Sequence, residues 1–500
     1  MLSLRPHSST SDRRPSTEAS SCSGSGSATG TGTSDRLVDA STEARRRSWS
    51  SVVPSMRASL RPGGSGVPGG YPRQVSAPVE PPARPRPLDP LRVRQFRWFW
   101  IAAFVSNTGG WMQNATIPYV VFQVTGRAGE VGITGFFQYV PFMIMGLVGG
   151  TLADRFPRRL LLVVTQVLQA AVAVALWAEV ASGSATAFNL SVLAFASGIL
   201  GGLNTPIWQA LVAELVPREL LLGAVTLNST QFNASRALGP FLAGVVIAVF
   251  GAQASFMLNA LSFAAVVVVL FAIRVHSDAR RGPGAGPLAG IGAAVRHVWH
   301  TPAILTCCFA IIAVASLGSP LFSYLPVYGD TEFHVTGVRL GLLLGASGIG
   351  AVLIAPLLLQ VQHRVRRAAL LAGAMASYGL AVMAVGLIPG YVGCILALMC
   401  FGAAYLTIAS TINTTIQLLV TDELRGKVIA LYLMCLTGAL PIGLVVWGQC
   451  ADAFGLRVTT VVAGVLLILV TLGYGLAGRF SLMAAEDPPP MIDDIEPAVG

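Results

Sequence analysis

Residues 95–482 are a succession of long apolar runs broken by short polar punctuation. A helix needs about 20 apolar residues to cross the hydrocarbon core of a bilayer. Backbone groups in lipid must bond to one another within a segment, so the runs predict helices. Twelve spans are expected, near 98–124, 131–153, 160–181, 188–212, 221–250, 253–275, 303–328, 337–361, 367–388, 391–419, 427–453 and 456–480. The flanks differ. Residues 1–94 are rich in Ser, Gly, Pro and Arg, contain no apolar run long enough for a signal peptide, and read as a disordered tail. A linker at 276–302 carries Gly-Pro-Gly-Ala-Gly-Pro and then an amphipathic segment through Arg296, Val298 and Trp299, and an acidic tail starts at 483.

Charge sets the orientation. Only 11% of the 500 residues are charged, against about 25% in ordinary soluble domains. Loops after even-numbered spans hold thirteen basic residues, among them Arg155, Arg158, Arg159, Arg218, Arg364, Arg366 and Arg367. Loops after odd-numbered spans hold three, Arg127, Arg339 and Arg457. The positive-inside rule therefore places both termini in the cytoplasm. The sequence pI near 9.6 follows from this bias and does not point to nucleic acid. One Lys against 32 Arg suggests a GC-rich, bacterial coding sequence, and the expected location is the plasma membrane.

Several function classes lack their residues. A phosphate-binding loop needs a Gly-Lys-Ser/Thr ending, but the single lysine, Lys427, precedes Val428, so ATP is not an expected partner. The six histidines lie in tails, loops or span ends, no Ser-His or paired-carboxylate set lies in the spans, and catalysis is not expected. Cysteines 307, 308, 394, 400, 435 and 450 sit in apolar runs with no metal-ligand spacing and read as small core residues. No cofactor or metal is expected.

The chain also repeats itself. Asn204-Thr205-Pro206-Ile207 with Gln209, Leu211-Val212 and Glu214 ends the fourth span; Asn413-Thr414-Thr415-Ile416 with Gln417, Leu419-Val420 and Asp422 ends the tenth. The second and eighth spans are both Gly-rich and both run into a basic loop. Span n matches span n+6, as in a parallel repeat. Two bundles follow, 95–275 and 303–482.

The loop Asp154-Arg155-Phe156-Pro157-Arg158-Arg159 packs one carboxylate and three guanidinium groups between two apolar runs. It either fixes orientation alone or works as a gate. Its spacing resembles the loop between helices 2 and 3 of the major facilitator superfamily, where it is part of the gate. Glu214-Leu215-Val216-Pro217-Arg218-Glu219, Leu227-Asn228-Ser229, Asn233-Ala234-Ser235-Arg236, Gly239-Pro240 and Leu258-Asn259-Ala260-Leu261-Ser262-Phe263 look like the secretion-effector branch that holds enterobactin-exporter and macrolide-efflux relatives. The resemblance implies an all-α membrane protein of twelve helices in two six-helix bundles. It also implies export of a small amphipathic molecule, driven by a proton gradient, by a monomer. An importer on the same fold and a non-transporting membrane sensor are the alternatives. Relatives usually carry an acid and an Arg where this chain has Asn204 and Trp208, and two Gly where it has Ala243-Gly244.

Ionisable groups inside a span cost at least about 2.5 kcal/mol and are functional candidates by default. Arg236 is the charge deepest in any span. Ser229, Asn233, Arg236 and Pro240 share one face of the fifth span; Asn228, Gln231, Ser235 and Gly239 form a second polar face about 100° away. Arg236 either meets the cargo or is tied to helix-end carbonyls. The stripe Asn107, Trp111, Asn114 and Pro118 on the first span lines a cavity or bonds neighbouring helices. Ser319, Ser323 and Tyr324 on the seventh span and Tyr405 and Thr407 on the tenth are weaker candidates of the same kind. Gly239, Pro240 and Gly244 form a helix-bend motif. The Gly pairs 146/150, 198/202 and 341/345 are expected where helices approach closely. Asp154 and Glu214 are the carboxylates nearest the gate, either as proton carriers or as latches to Arg155, Arg158 or Arg218.

Residues 1–90 lack the apolar periodicity needed to offset ordering entropy. A chain starting near residue 90 is expected to insert and to transport at the wild-type rate per folded molecule. Loss of insertion, or of turnover at equal expression, would contradict this reading.

Overall fold

The computed structural model describes Arg86 and residues 88–273, 291–362 and 364–484. The expected tail at 1–85, the Gly-Pro part of the linker and the acidic tail lie outside the described residues. Each predicted span coincides with a helix. We label them α1 (Arg94–Thr125), α2 (Ala128–Arg155), α3 (Arg158–Ala181), α4 (Ala187–Glu214), α5 (Leu221–Phe250) and α6 (Ala252–Ala272). The second half holds α7 (Pro302–Thr331), α8 (Gly337–Val361), α9 (Arg367–Leu387), α10 (Tyr391–Leu419), α11 (Asp422–Phe454) and α12 (Leu456–Leu476). No strand occurs among the described residues.

By length and composition ten of these helices suffice to cross a membrane, or eleven if α2, bent by 41° between Gly146 and Val148, counts as one span. The expected twelfth is α1. Its 32 residues are long enough at about 1.5 Å each. It falls short in hydropathy, because Asn107, Thr108, Gly109, Gly110, Gln113 and Asn114 interrupt the apolar run. Neighbouring helices cover these groups: α1 packs on α2, α5, α6 and the second half of α7. Elsewhere some polar side chains bond within their own helix. Thr407, Thr411 and Thr415 each donate to the carbonyl four residues earlier, at 2.7–2.9 Å.

Packing repeats with a period of six helices. α2 packs on α4 as α8 packs on α10; α3 packs on α6 and α4 as α9 packs on α12 and α10. The turns repeat as well. Gly251 between α5 and α6 and Gly455 between α11 and α12 have φ of 81° and 88°, a conformation open to residues without a Cβ. A short helix, Ile291–His300, precedes α7; it buries Val298 and leaves Trp299 exposed. α7 is interrupted by a π-helical turn at Val314–Gly318.

Two seams join the halves, α2 with α11 and α5 with α8. Both depend on glycine. A Cβ on Gly132 would lie 2.4 Å from the Leu444 carbonyl oxygen, and one on Gly448 2.7 Å from that of Ala128. A Cβ on Gly244 would lie 2.2 Å from the Gly341 nitrogen, and Gly341 and Gly345 rest on Phe241. Of the expected Gly pairs, 341/345 therefore lies in a seam between the halves. Gly198 and Gly202 instead hold α4 to Gln138 and Phe142 of α2. Gly146 and Gly150 have nothing within 4 Å; the contact belongs to Gly149, against Leu203 and Pro206.

Gly244→Ala is expected to cost about 1–3 kcal/mol, the usual penalty for forcing extra volume into a packed site. Gly146→Ala, in open space, should be neutral or stabilising, since Ala is the better helix former. Thermal unfolding of the two purified variants reads the difference; equal midpoints would remove the seam from the stability of the fold.

Candidate functional site

A cavity of about 150 Å³ lies at mid-depth between the halves. Trp111 of α1, Tyr139 of α2 and Arg236 of α5 line one side. Ser319, Phe322 and Ser323 of α7, Phe401 and Tyr405 of α10 and Leu440 of α11 line the other. The π turn in α7 ends just before Ser319. Ser319 is held by the Val314 carbonyl at 3.1 Å and by the Tyr378 hydroxyl at 3.4 Å. Tyr378 in turn stacks on Phe401 at 4.7 Å between ring centroids.

Arg236 projects into this space. Its guanidinium carbon lies 4.7 Å from the ring centroid of Tyr405 and 5.9 Å from that of Trp111. Pro240, one turn later, has no N–H to offer the Arg236 carbonyl. Gly239 lets α5 approach α1 closely, with Trp111 Cβ 2.4 Å from where a Cβ would sit. Asn233 and Ser229, one and two turns toward the arginine-rich end, are exposed, and Asn233 donates to the Ser229 carbonyl at 2.8 Å. Of the first polar face of α5, Arg236 lines the cavity, and Asn233 and Ser229 are exposed toward that end.

The second face does not. Gln231 and Ser235 are buried against α1: Asn107 donates to Gln231 Oε1 at 3.4 Å, and Thr108 to Ser235 at 3.1 Å. Asn228 accepts from the Trp208 indole at 3.4 Å. Asn114 accepts from Gln138 of α2 at 2.9 Å. Asn107, Asn114, Asn228 and Gln231 therefore tie helices together, and of the expected α1 stripe only Trp111 lines the cavity. Thr407 spends its hydroxyl inside α10. Trp208, where relatives place an Arg, packs at 4.5 Å on Phe99, and Asn204 accepts from Thr165 and Gln166.

At the arginine-rich end, of the two candidate carboxylates Glu214 is latched, and its partner is Arg158. Arg158 bonds Glu214 Oε1 at 2.6 Å and reaches the carbonyls of Ala153 and Ala210 at 3.3 Å, joining the α2–α3 loop to the end of α4. Arg159 donates to the Phe271 carbonyl at 3.1 Å. Asp154 and Arg155 are exposed, and Asp154 makes no ion pair among the described residues. The side chains of Asp422, Glu423 and Arg425 lie outside the described residues.

The opposite end is closed. Asp452, in the last turn of α11, accepts from the backbone N–H groups of Ala128 at 2.7 Å and Gly129 at 3.0 Å, with Arg127 at 3.7 Å. Arg127, the N-cap residue of α2, makes no capping bond with its own side chain. A carboxylate from the other half therefore satisfies the orphan donors of that helix and sits at its positive end. Gln123 of α1 donates to Asp330 of α7 at 2.9 Å. Tyr324 is buried rather than lining the cavity; its hydroxyl lies 2.8 Å from the Leu444 carbonyl and 3.3 Å from that of Ala128. Asp452 with Ala128, Gly129 and Arg127, Gln123 with Asp330, and Tyr324 with Ala128 thus join the halves at this end.

Sequence reading missed Tyr139, Phe322, Phe401, Leu440 and Asp452. The first four look like ordinary apolar positions. Asp452 looks like a loop-end acid until α2 is laid beside it.

Comparisons place this geometry. Residues 86–491 match the family described as transmembrane secretion effector. Multidrug efflux pump Tap of Mycolicibacterium fortuitum is 25% identical over 74% of this chain and 92% of its own length. The staphyloferrin A transporter of Staphylococcus aureus is 25% identical over 78% and 98%, and the enterobactin exporter EntS of Citrobacter koseri 24% over 67% and 80%. Among solved structures, an inward-facing, unoccupied bacterial homologue of the lysosomal transporter Spinster superposes with a TM-score of 0.64 at 14% identity, over 79% of this chain and 99% of that one. A D-xylose–proton symporter gives 0.62 at 14% identity, over 75% and 96%. With the two-seam helical repeat and the central cavity, the match over most of its length shows that the chain belongs to the transmembrane secretion effector family of the major facilitator superfamily.

Proposed function

We propose that this chain exports a small amphipathic molecule from the bacterial cytoplasm by alternating access, with proton influx as the energy source. The observation that carries the reading is the mid-depth cavity between two repeat halves that hydrogen bonds fasten together at the end opposite the arginine-rich loops. The arginine-rich end is assigned to the cytoplasm on the positive-inside rule. The structure then represents the inward-open state, ready to load cargo. The direction is supported by family membership and by relatives whose names describe efflux and siderophore export. Proton coupling is supported by the lack of a phosphate-binding loop and by carboxylates at the cytoplasmic end, Glu214 on its Arg158 latch and exposed Asp154.

The direct test is uptake into inside-out vesicles holding an imposed proton gradient. Cargo should accumulate, and a protonophore should abolish accumulation while leaving counterflow exchange intact. Accumulation that ignores the protonophore would remove the proton; absence of counterflow for any efflux substrate would remove transport itself. Cysteine labelling at position 278 should occur only from the cytoplasmic face.

The closed end yields a second expectation. Asp452→Ala leaves the Ala128 and Gly129 N–H groups without their acceptor. Unsatisfied donors of this kind cost about 1–3 kcal/mol, here charged to the inward-open state alone. Spin labels on α1 and α7 at that end should report a population moved about ten- to a hundredfold toward the separated state. An unchanged distance distribution would show that Asp452 does not hold the gate.

A further inference from the structure

We infer that the central cavity selects organic anions, and that Arg236 holds the acidic group while a ring-sized apolar part of the cargo fills the space beside it. This rests on the transport reading above. Arg236 sits halfway along α5, remote from both ends of the helix, and arginine keeps its proton in essentially any protein site. A charge at this depth needs compensation. Among the described residues Arg236 has no ion pair and no hydrogen bond; its neighbours are the rings of Tyr405 and Trp111. Ring faces attract a cation but accept none of the five in-plane N–H bonds that a guanidinium offers. Those donors are left for whatever enters the cavity.

The other walls define what that is. Among the described residues no carboxylate lines the cavity, so a cationic cargo would meet Arg236 with no countercharge there. The hydroxyl-bearing side chains in the lining are Ser319, Ser323, Tyr139 and Tyr405, among aromatic and aliphatic side chains. The Ser323 hydroxyl can donate to a second oxygen of an acid group, while Ser319 gives its hydrogen to the Val314 carbonyl, and the rings accept a flat apolar surface. A cavity of about 150 Å³ is the size that holds one benzene ring in an engineered protein core. The acidic group and one ring are therefore seated at mid-depth, and any larger body extends along Asn233 and Ser229 toward the arginine-rich end, where both side chains are exposed.

Three small probes of one shape separate the charges: benzoate, benzamide and benzamidine, an anion, a neutral molecule and a cation. Each is titrated into the purified full-length protein, and binding is read from quenching of tryptophan fluorescence and from the thermal midpoint. Benzoate should bind most tightly, benzamide more weakly, and benzamidine least. In Arg236→Gln, benzoate affinity should fall about tenfold or more, the loss typical of a charge-assisted hydrogen bond, and become similar to that of benzamide. Arg236→Lys should keep part of the preference. If Arg236→Gln does not fold, the order of the three probes on the wild-type protein still decides. Benzamidine binding as well as benzoate, no binding of benzoate, or a benzoate preference that survives Arg236→Gln would overturn the assignment. None of these results touches the counterflow assay, so failure of the anion assignment and failure of the transport reading are separately visible.

Discussion

The halves of this protein hold together where glycine lets one backbone touch another. In lipid the surrounding tails are as apolar as the side chains, so apolar burial gives little force between helices, and close packing must supply it. At Gly132, Gly448, Gly244 and Gly341 helices from opposite halves approach until no side chain fits between them. Asp452 and Tyr324 then tie carbonyls and N–H groups across the same region. Short, dry contacts of this kind are either made or broken, which suits a structure that must exchange two discrete arrangements rather than deform.

Many polar groups inside the spans are satisfied within the protein, and the site is handled differently. Thr407, Thr411 and Thr415 bond their own helix; Thr108, Asn107, Asn114, Asn228 and Gln113 bond neighbouring helices. Each bond satisfies a group that lipid cannot. Arg236 departs from this pattern because its neighbours are ring faces, which stabilise its charge without occupying its donors. Strength of charge without consumption of hydrogen-bonding capacity is what a transient ligand site requires.

The basic loop carries a related lesson. Its composition advertises Asp154 as the acid among three arginines, but Arg158 turns away from it toward Glu214, fifty-six positions along the chain. Arg158 also caps the carbonyls of Ala153 and Ala210, so one side chain closes two helix ends at once. Asp154 stays at the surface in this conformation, where solvent screens its charge.

Helix positions, the six-helix repeat and the depth of Arg236 were legible in the sequence, because each follows from local hydropathy or from spacing along one helix. The two polar faces of α5 were legible too, since 3.6 residues per turn fixes which side chains share a side. Their roles were not. The Gln231 face turned out to be glued to α1 and the Arg236 face to be open, a difference set by which helix lies alongside. For the same reason Tyr324, spaced like Ser319, closes the far end, while Tyr139, spaced like a core residue, lines the cavity. Asp452 capping a helix of the other half joins residues 324 positions apart, and no pattern within a single span contains that contact. Sequence by itself determines what each helix offers on each face; only the tertiary structure decides what that face meets, because the partner comes from a segment hundreds of residues away.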